Sequence, residues 1–342
     1  MKIRSKAPLR LGIAGGGTDV SPYSDEFGGC VLNATINMYA YAFIDDSVST
    51  NEVIFEAKDL SISETLSLDE TIETNGRLLL HRAVYKRVME QYNKGVYIPL
   101  KLTTQSDAPP GSGLGSSSTM VVAMLEGFRQ LLSLPLGEYD IAHLAFEIER
   151  QDCNLSGGKQ DQYAATFGGF NFIEFYENDR VIVNPLRMRR FIVNEFESSL
   201  ILFFTGTSRD SAKIIDDQIK SIGDDDGQKL NAMHAVKESS YKIKELLFKA
   251  DIEGMAEEFT IAWNAKKSTS SSITNELINN IESDILQAGA LSMKVSGAGG
   301  GGFIMIIVEP EKRLDVLASL EKYEGRAHKF QFTDEGAYSW TI

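Results

Sequence analysis

The chain has 342 residues, of which 43% are hydrophobic and 24% are charged, so it is long enough for two domains with cores of their own. The formal net charge of −14 argues against nucleic acid as a partner, because nucleic-acid-binding proteins present a basic surface. The two cysteines, Cys30 and Cys153, form neither a disulfide framework nor a metal-binding spacing, which is typical of a cytoplasmic protein. We also expect no secretory signal at Met1–Lys6 and no membrane-spanning segment.

The first part of the chain predicts strands that are separated by turns. Apolar residues alternate from Leu9 to Ile13, and the triple glycine Gly15–Gly17 then interrupts the alternation. Alternation from Val31 to Asp45 predicts a long strand with one apolar face in a core. We expect strands at 9–13, 31–45, 53–57 and 98–104, and a helix around 78–88.

A glycine- and serine-rich segment, Pro109–Thr119, connects the last of these strands to a predicted helix over 120–132. The N-terminus of a helix has free backbone N–H groups and about half a positive charge. Glycines let the backbone approach a ligand closely, and small hydroxyls add donors and a metal ligand. The segment therefore predicts an anion site, with phosphate as the favoured ligand; the alternative is a flexible loop that only caps the helix. It is not a P-loop, because no Gly-Lys-Ser or Gly-Lys-Thr ends it.

Downstream, residues 139–151 predict a second helix, with Glu149 near its end. Negative charge is unfavourable at a helix C-terminus, so Glu149 is unusual for a purely solvated side chain. The pattern changes after about Pro185, where long helical segments begin. We expect strands at 170–176, 199–204, 291–296, 303–308 and 327–332, and helices at 210–221, 227–249, 251–266, 274–288 and 310–323. Strands and helices do not alternate strictly, which indicates an α+β fold in two domains, 1–184 and 185–342.

The segment Gly297–Gly302 matches the dinucleotide-binding pattern G-x-G-x-x-G. That function requires a helix after the glycines, whereas the apolar run Phe303–Val308 predicts a buried strand. We therefore reject dinucleotide binding and expect this loop to approach either a ligand or another loop closely.

Three segments together resemble the motifs of the GHMP kinase superfamily, which includes galactokinase, homoserine kinase and mevalonate kinase. They are Ala7–Asp19, Pro109–Thr119 and Lys294–Gly302. The resemblance implies a two-domain GHMP kinase fold, with an N-terminal domain similar to ribosomal protein S5 domain 2, a ferredoxin-like α+β C-terminal domain, and an active site between them. Further features resemble the heptose 7-phosphate kinases within the superfamily: Arg4–Arg10, the triple glycine, Asn33–Ile36 and Thr205–Arg209.

This resemblance implies a cytoplasmic ATP-dependent sugar kinase. It would phosphorylate the anomeric hydroxyl of D-glycero-D-manno-heptose 7-phosphate to give the 1,7-bisphosphate, on the way to nucleotide-activated heptose and surface polysaccharide. The expected partners are ATP and a phosphorylated sugar, with a second copy of the chain in a possible homodimer. The alternatives are a kinase of the same fold for fucose or galactose, and a non-catalytic sensor of ATP and sugar.

The resemblance also implies a nucleotide site with Mg²⁺ as the cofactor. The phosphate loop would bind ATP mainly through backbone N–H groups, and its candidate positions are Pro110, Gly111, Ser112, Gly113, Leu114, Gly115, Ser116, Ser117 and Ser118. Ser117 and Glu149 match the metal ligands of the family, and Ser118 is a close competitor because the serine run permits a register error of one residue.

Asp161 matches the catalytic aspartate of the family, and Arg10 matches a basic position of the first motif. Asp161 would accept the proton of the sugar hydroxyl or orient that hydroxyl. Arg10 would keep Asp161 ionised and stabilise charge on the transferred phosphoryl group.

On the acceptor side, Asp19 matches a sugar-binding aspartate, and Gly16, Gly17 and Gly299 are further expected contacts. Galactokinases carry Gly-Glu-His where this chain has its triple glycine, which would leave room here for a larger, phosphorylated sugar. The cations considered for the sugar phosphate are Arg209, Lys159, Arg187, Arg189 and Arg190. Arg209 is preferred because it follows a tight Thr-Gly-Thr-Ser turn.

Overall fold

The computed structural model describes residues 1–207, 214–216 and 227–342. Within these residues the strands are β1 (Lys2–Ala14), β2 (Gly29–Asp45), β3 (Glu52–Ala57), β4 (Ile62–Ser67), β5 (Leu100–Ser106), β6 (Phe170–Phe175), β7 (Val181–Pro185), β8 (Leu200–Phe204), β9 (Ala290–Val295), β10 (Phe303–Val308), β11 (Arg326–His328) and β12 (Tyr338–Thr341). The helices are α1 (Tyr23–Phe27), α2 (Leu79–Tyr92), α3 (Ser116–Leu131), α4 (Glu138–Glu147), α5 (Gln160–Phe167), α6 (Arg190–Ser198), α7 (Gln228–Lys249), α8 (Ile252–Thr269), α9 (Glu276–Gln287) and α10 (Arg313–Leu320). The mixed content of two sheets and surrounding helices confirms the α+β prediction.

The larger sheet has the strand order β12-β1-β2-β5-β3-β4, and β6 and β7 extend it beside the first half of β2. The long strand β2 pairs with two strands on the same edge: residues 29–34 pair with β6, and residues 40–45 pair with β5. Only the β3–β5 pair is parallel among the described strand pairs.

The predicted one-sided burial of β2 holds for its second half only. From residue 37 onward exposed and buried positions alternate, but residues 29–36 are buried on both faces. This half of the strand contacts α5 and α7, so Asn33 and Thr35 lie in the interior rather than on the surface. A polar residue can occupy such a position when a functional site or a backbone partner lies beside it.

The smaller sheet has the antiparallel order β11-β8-β10-β9. Its strand β10 is buried at every position. Ile304 and Ile306 pack with apolar residues of α9, whereas Phe303 and Met305 belong to a core that also contains Leu9 of β1. Because both faces of β10 pack in a core, its sequence is a continuous apolar run. The core that contains Leu9 also joins the two halves of the chain.

The end of the chain returns to the first sheet. Strand β12, which the sequence did not predict, pairs with β1, so that Thr341 lies opposite Ile3. The division at residue 184 falls at the end of β7 and stays a proposal.

Other boundaries differ from the predictions. The helix expected over 139–151 ends at Glu147, and a π-helical turn, Ile148–Asp152, follows it. The strand expected over 327–332 is short, and Phe332 forms only an isolated bridge with Ile36. Of the helix expected over 210–221, only 214–216 lies within the described residues. In the described ranges, no helix combines the length and the apolar character that crossing a membrane requires.

Candidate active site

The phosphate loop adopts the backbone conformation that its glycines allow. Gly111, Gly113 and Gly115 have φ angles of 71°, 82° and 75°, in the left-handed region that disfavours other residues. Gly115 directly precedes α3. The backbone N–H groups of the first turn of α3 therefore face away from the helix without a helical acceptor, which is the arrangement that binds anions.

The third glycine motif packs directly against the phosphate loop. A Cβ atom on Gly113 would lie 2.4 Å from the carbonyl oxygen of Ser296, and one on Gly302 would lie 2.3 Å from that of Ser112. The amide of Phe303 also donates to the Ser112 carbonyl oxygen at 2.9 Å. Strand β10 begins at Phe303, as the rejection of dinucleotide binding required, and the glycines of this motif permit close contact between two loops.

Arg10 lies at the centre of these segments and is 3% exposed. Its Nε and Nη2 atoms lie 2.7 and 2.6 Å from Oδ1 of Asp161. Its Nη1 atom donates to the carbonyl oxygen of Gly113 at 2.6 Å. A buried guanidinium with several partners is fixed in orientation. It thereby holds Asp161 and the phosphate loop at one end of the cleft.

Ser117 and Glu149 come together as the predicted metal ligands. The Ser117 hydroxyl donates to Oε1 of Glu149 at 2.9 Å, and Gln162 donates to Oε2 at 2.5 Å. Glu149 is fully buried, and among the described residues its ion pair is with Arg150 at 4.0 Å. Two hard oxygen ligands beside a helix N-terminus suit a divalent metal ion. The hydroxyl of the competitor Ser118 accepts from Gln162 at 3.1 Å, so the geometry favours Ser117.

The π-helical turn explains how Glu149 reaches this position. The amide of Cys153 donates to the carbonyl of Ile148, five residues earlier, and the amide of Leu155 donates to that of Glu149. Such wide turns occur within helices mostly at functional sites. Here the turn places a carboxylate in the interior, where the end of a regular helix would expose it.

Asp19 lines the same cleft as the phosphate loop and is 2% exposed. It accepts hydrogen bonds from the amides of Gly17 and Gln160 and from the Gln160 side chain, at 3.1 to 3.2 Å. Burial is the main cause of the raised pKa of its carboxyl. A Cβ atom on Gly158 would lie 1.9 Å from Oδ2 of Asp19, so this glycine is needed for the close approach.

The cleft between these groups has a volume of about 340 Å³. It brings together Arg10, Asp161, Asp19, Gly17, Ser117 and most of the phosphate loop. Several predicted residues do not line it: Pro110 is exposed, Ser112 and Leu114 are buried, and Gly299 faces Ile273. Glu149 is also buried outside the lining and contacts the cleft through Ser117. Gly16 lies beside the lining, where a Cβ atom would be 3.7 Å from Nε2 of Gln160.

None of the cations considered for the sugar phosphate lines the cleft within the described residues. Lys159 pairs with Asp179 at 2.5 Å. Arg187, Arg189 and Arg190 are exposed around the start of α6. Arg209, the preferred candidate, lies outside the described residues.

The structure adds residues that sequence reasoning missed, above all Lys266 and Arg150, which both line the cleft. Arg150 donates to the carbonyl oxygens of Leu155 and Gly158 at 3.2 and 3.1 Å. It thereby shapes the loop that contacts Asp19. Its position next to Glu149 in the sequence could have indicated a place in the site. Lys266 lies in a helix of ordinary amphipathic composition, and nothing in its local sequence marks it.

Free N–H groups at a helix N-terminus and an Arg–Asp pair line one cleft, and the Ser–Glu pair adjoins it. Phosphoryl transfer needs such a cradle for phosphates, a cation site and a group that positions the acceptor hydroxyl. Comparison with known proteins identifies the family. The model of the GHMP kinases N terminal domain matches residues 79–169, and that of the GHMP kinases C terminal domain matches residues 243–325. The chain belongs to the GHMP kinase family, whose members use ATP with a divalent metal.

Individual relatives agree with the family models. The chain is 43% identical, over 99% of both chains, to D-glycero-alpha-D-manno-heptose 7-phosphate kinase of Campylobacter jejuni. It is 44% identical, with a TM-score of 0.83 over 99% of both chains, to the structure of a D-glycero-D-manno-heptose 1-phosphate kinase from Bacteroides thetaiotaomicron. The galactokinase of Lactococcus lactis shares the fold, with a TM-score of 0.75, at 16% identity over 100% of this chain and 95% of that one.

Proposed function

We propose that this protein transfers the γ-phosphoryl group of ATP to the anomeric hydroxyl of D-glycero-D-manno-heptose 7-phosphate. The product would be the 1,7-bisphosphate, a precursor of nucleotide-activated heptose. The observation that carries the proposal is that Arg10 joins Asp161 to the phosphate loop in one cleft, which Asp19 also lines. The relative that is 43% identical over the whole chain favours a heptose acceptor over fucose or galactose.

In the proposed reaction, the anomeric oxygen forms a bond to the γ-phosphorus while the bond from that phosphorus to the β–γ bridging oxygen breaks. Asp161 lies next to Arg10 and accepts the hydroxyl proton, which it later releases to water. The loop N–H groups bind the phosphates of ATP, and the Arg10 guanidinium stabilises negative charge on the transferred group. Since an aspartate is a weak base, orientation of the hydroxyl contributes alongside proton removal.

The donor set of Ser117 and Glu149 fits Mg²⁺, which prefers one or two protein oxygens together with phosphate oxygens and water. When bound, the ion neutralises charge on the nucleotide phosphates. Gln162 holds the Glu149 carboxylate in place from the other side. A buried carboxylate without a close cation is costly, and a metal ion at this position would relieve that cost.

The acceptor can be identified by measuring ADP release with heptose 7-phosphate, heptose 1-phosphate, free heptose, fucose, galactose and mannose. We expect clear preference for heptose 7-phosphate and poor turnover of galactose, and ³¹P NMR of the product should show a new anomeric phosphate. Heptose 1-phosphate belongs in the screen because one relative carries that sugar in its name. Preference for an unphosphorylated sugar would overturn the proposed acceptor.

The role of Asp161 can be tested with Asp161→Asn. We expect turnover to fall by about a hundredfold or more, while ATP affinity is retained because the phosphate loop is unchanged. The control is Asp315→Asn on α10, whose side chain is 63% exposed and which lies outside the cleft. Unchanged turnover in Asp161→Asn would remove this residue from the mechanism.

A further inference from the structure

Lys266 of α8 is a buried cation that lines the cleft and that the proposed reaction does not yet use. The residue is only 7% exposed. Its Nζ atom donates to the carbonyl oxygen of Gly297 at 2.5 Å. An ammonium group has three N–H donors, and Gly297 takes one of them. In the part of the chain that the structure describes, no second acceptor bonds Nζ, so the other two N–H groups are available to a ligand in the cleft.

Lys266 lies beside two of the predicted acceptor contacts, Gly16 and Asp19. A Cβ atom on Gly16 would lie 3.9 Å from Nζ of Lys266 and 3.7 Å from Nε2 of Gln160. Gln160 is the residue that holds Asp19. The charged groups around Nζ include Asp19, Arg10 and a second buried lysine, Lys294 of β9.

Within the described residues, the other cations in or near the cleft are held by partners of their own. Arg10 binds Asp161 and the Gly113 carbonyl oxygen, and Arg150 binds two carbonyl oxygens of its own loop. Lys294 donates to the carbonyl oxygen of Ile13 at 2.8 Å. In the described lining of the cleft, Lys266 is therefore the lysine present, and two of its N–H groups are unused beside Gly16.

We propose that Lys266 binds the phosphate group of the acceptor sugar and thereby selects a phosphorylated sugar over an unphosphorylated one. This inference rests on the proposed function. A buried ammonium forms charge-assisted hydrogen bonds with a phosphate, and these are stronger than bonds between neutral groups. A free sugar offers no charge for Lys266, so removal of the ammonium affects the two acceptors differently. Burial lowers the pKa of Lys266 to about 8, so the group is mostly protonated at neutral pH.

The test is Lys266→Met, with steady-state kinetics on heptose 7-phosphate and on free heptose. We expect KM for heptose 7-phosphate to rise by about 100-fold, with kcat within a few-fold of the wild type. The kcat/KM for free heptose should change by less than about fivefold. The matched control is Lys267→Met, one residue along the same helix, where the lysine pairs with Glu282 at 3.2 Å outside the cleft. Lys266→Arg keeps the charge and should retain preference for the phosphorylated sugar.

The outcomes separate this inference from the proposed function. If the wild type does not turn over heptose 7-phosphate, the proposed function fails and the inference fails with it. If the wild type prefers heptose 7-phosphate and Lys266→Met keeps that preference, only the inference is overturned. It is also overturned if kcat falls equally for both acceptors at constant KM, since that result assigns Lys266 to the transferred phosphoryl group instead.

Discussion

Replacement of Lys266 by methionine should stabilise the protein at neutral pH. Burial lowers the pKa of Lys266 from 10.5 to about 8. One pKa unit corresponds to about 1.4 kcal/mol, so keeping this ammonium charged in the interior at pH 7 costs about 3 kcal/mol of folding free energy. Methionine has a similar length and no charge. The substitution also removes the hydrogen bond to the Gly297 carbonyl oxygen, which contributes about 1 kcal/mol. The expected net gain in unfolding free energy is about 2 kcal/mol.

The gain in unfolding free energy of Lys266→Met should decrease as the pH rises. Because the pKa of Lys266 is lower in the folded state, the unfolded chain binds more protons between about pH 8 and pH 10.5. The wild type therefore becomes more stable as the pH rises through this window, and the advantage of the variant shrinks. We expect a gain of about 2 kcal/mol at pH 7 and about 0.5 kcal/mol at pH 9.5.

Urea-induced unfolding, followed by circular dichroism at pH 7 and pH 9.5, measures this difference. The control is Lys267→Met, which removes a partly exposed ion pair with Glu282. It should lower stability by less than about 1 kcal/mol. The reasoning is refuted if Lys266→Met is less stable than the wild type at pH 7, or if its advantage is the same at both pH values.

Two further substitutions test the phosphate loop and the carboxylate that contacts it. Glu149→Gln keeps the contact with Ser117 but removes the negative charge, so we expect the Mg²⁺ concentration for half-maximal activity to rise at least tenfold. The control is Glu147→Gln, two residues earlier. An equal response in both variants would exclude a metal-binding role for Glu149. Gly113→Ala forces a Cβ atom to within 2.4 Å of the Ser296 carbonyl oxygen and should lower both stability, by about 2 kcal/mol or more, and kcat/KM. The control is Gly95→Ala, at a similar φ of 74° with open space around it, which should lower stability by only about 1 kcal/mol. Similar losses of stability in the two alanine variants would show that the left-handed φ of Gly113, and not its contact with Ser296, is what excludes a side chain.

The sequence predicted those parts of the fold that follow from local periodicity. The apolar run of β10 was correctly predicted as a buried strand, and this was enough to exclude dinucleotide binding. Short elements with weak patterns were missed, among them α5, which begins at Gln160 and carries Asp161. β12 was missed because its strand character depends on pairing with β1, more than 300 residues away.

The residues of the candidate site also differ in whether the sequence could reveal them. Arg10, Ser117, Glu149 and Asp161 could be nominated because they lie in recognisable motifs or follow them. Lys266 could not, because a single lysine on an amphipathic helix has the same local pattern whether it faces water or a cleft. Its burial depends on the contact between α8 and the Gly297 loop, which only the tertiary structure shows. Lys159, which the sequence did nominate for the sugar phosphate, proved to be paired outside the cleft.

The contacts around Arg10 join the three motifs to one another. One guanidinium binds Asp161 of α5 and the Gly113 carbonyl oxygen of the phosphate loop. The Ser296 hydroxyl donates to that same carbonyl oxygen at 2.9 Å. The adjoining glycines approach so closely that neither loop has room for a side chain. Because these loops come from different sheets, the geometry of the phosphate site depends on the packing of the two sheets across their shared core. A substitution in that core, far from the cleft, can therefore alter catalysis through the position of Gly113.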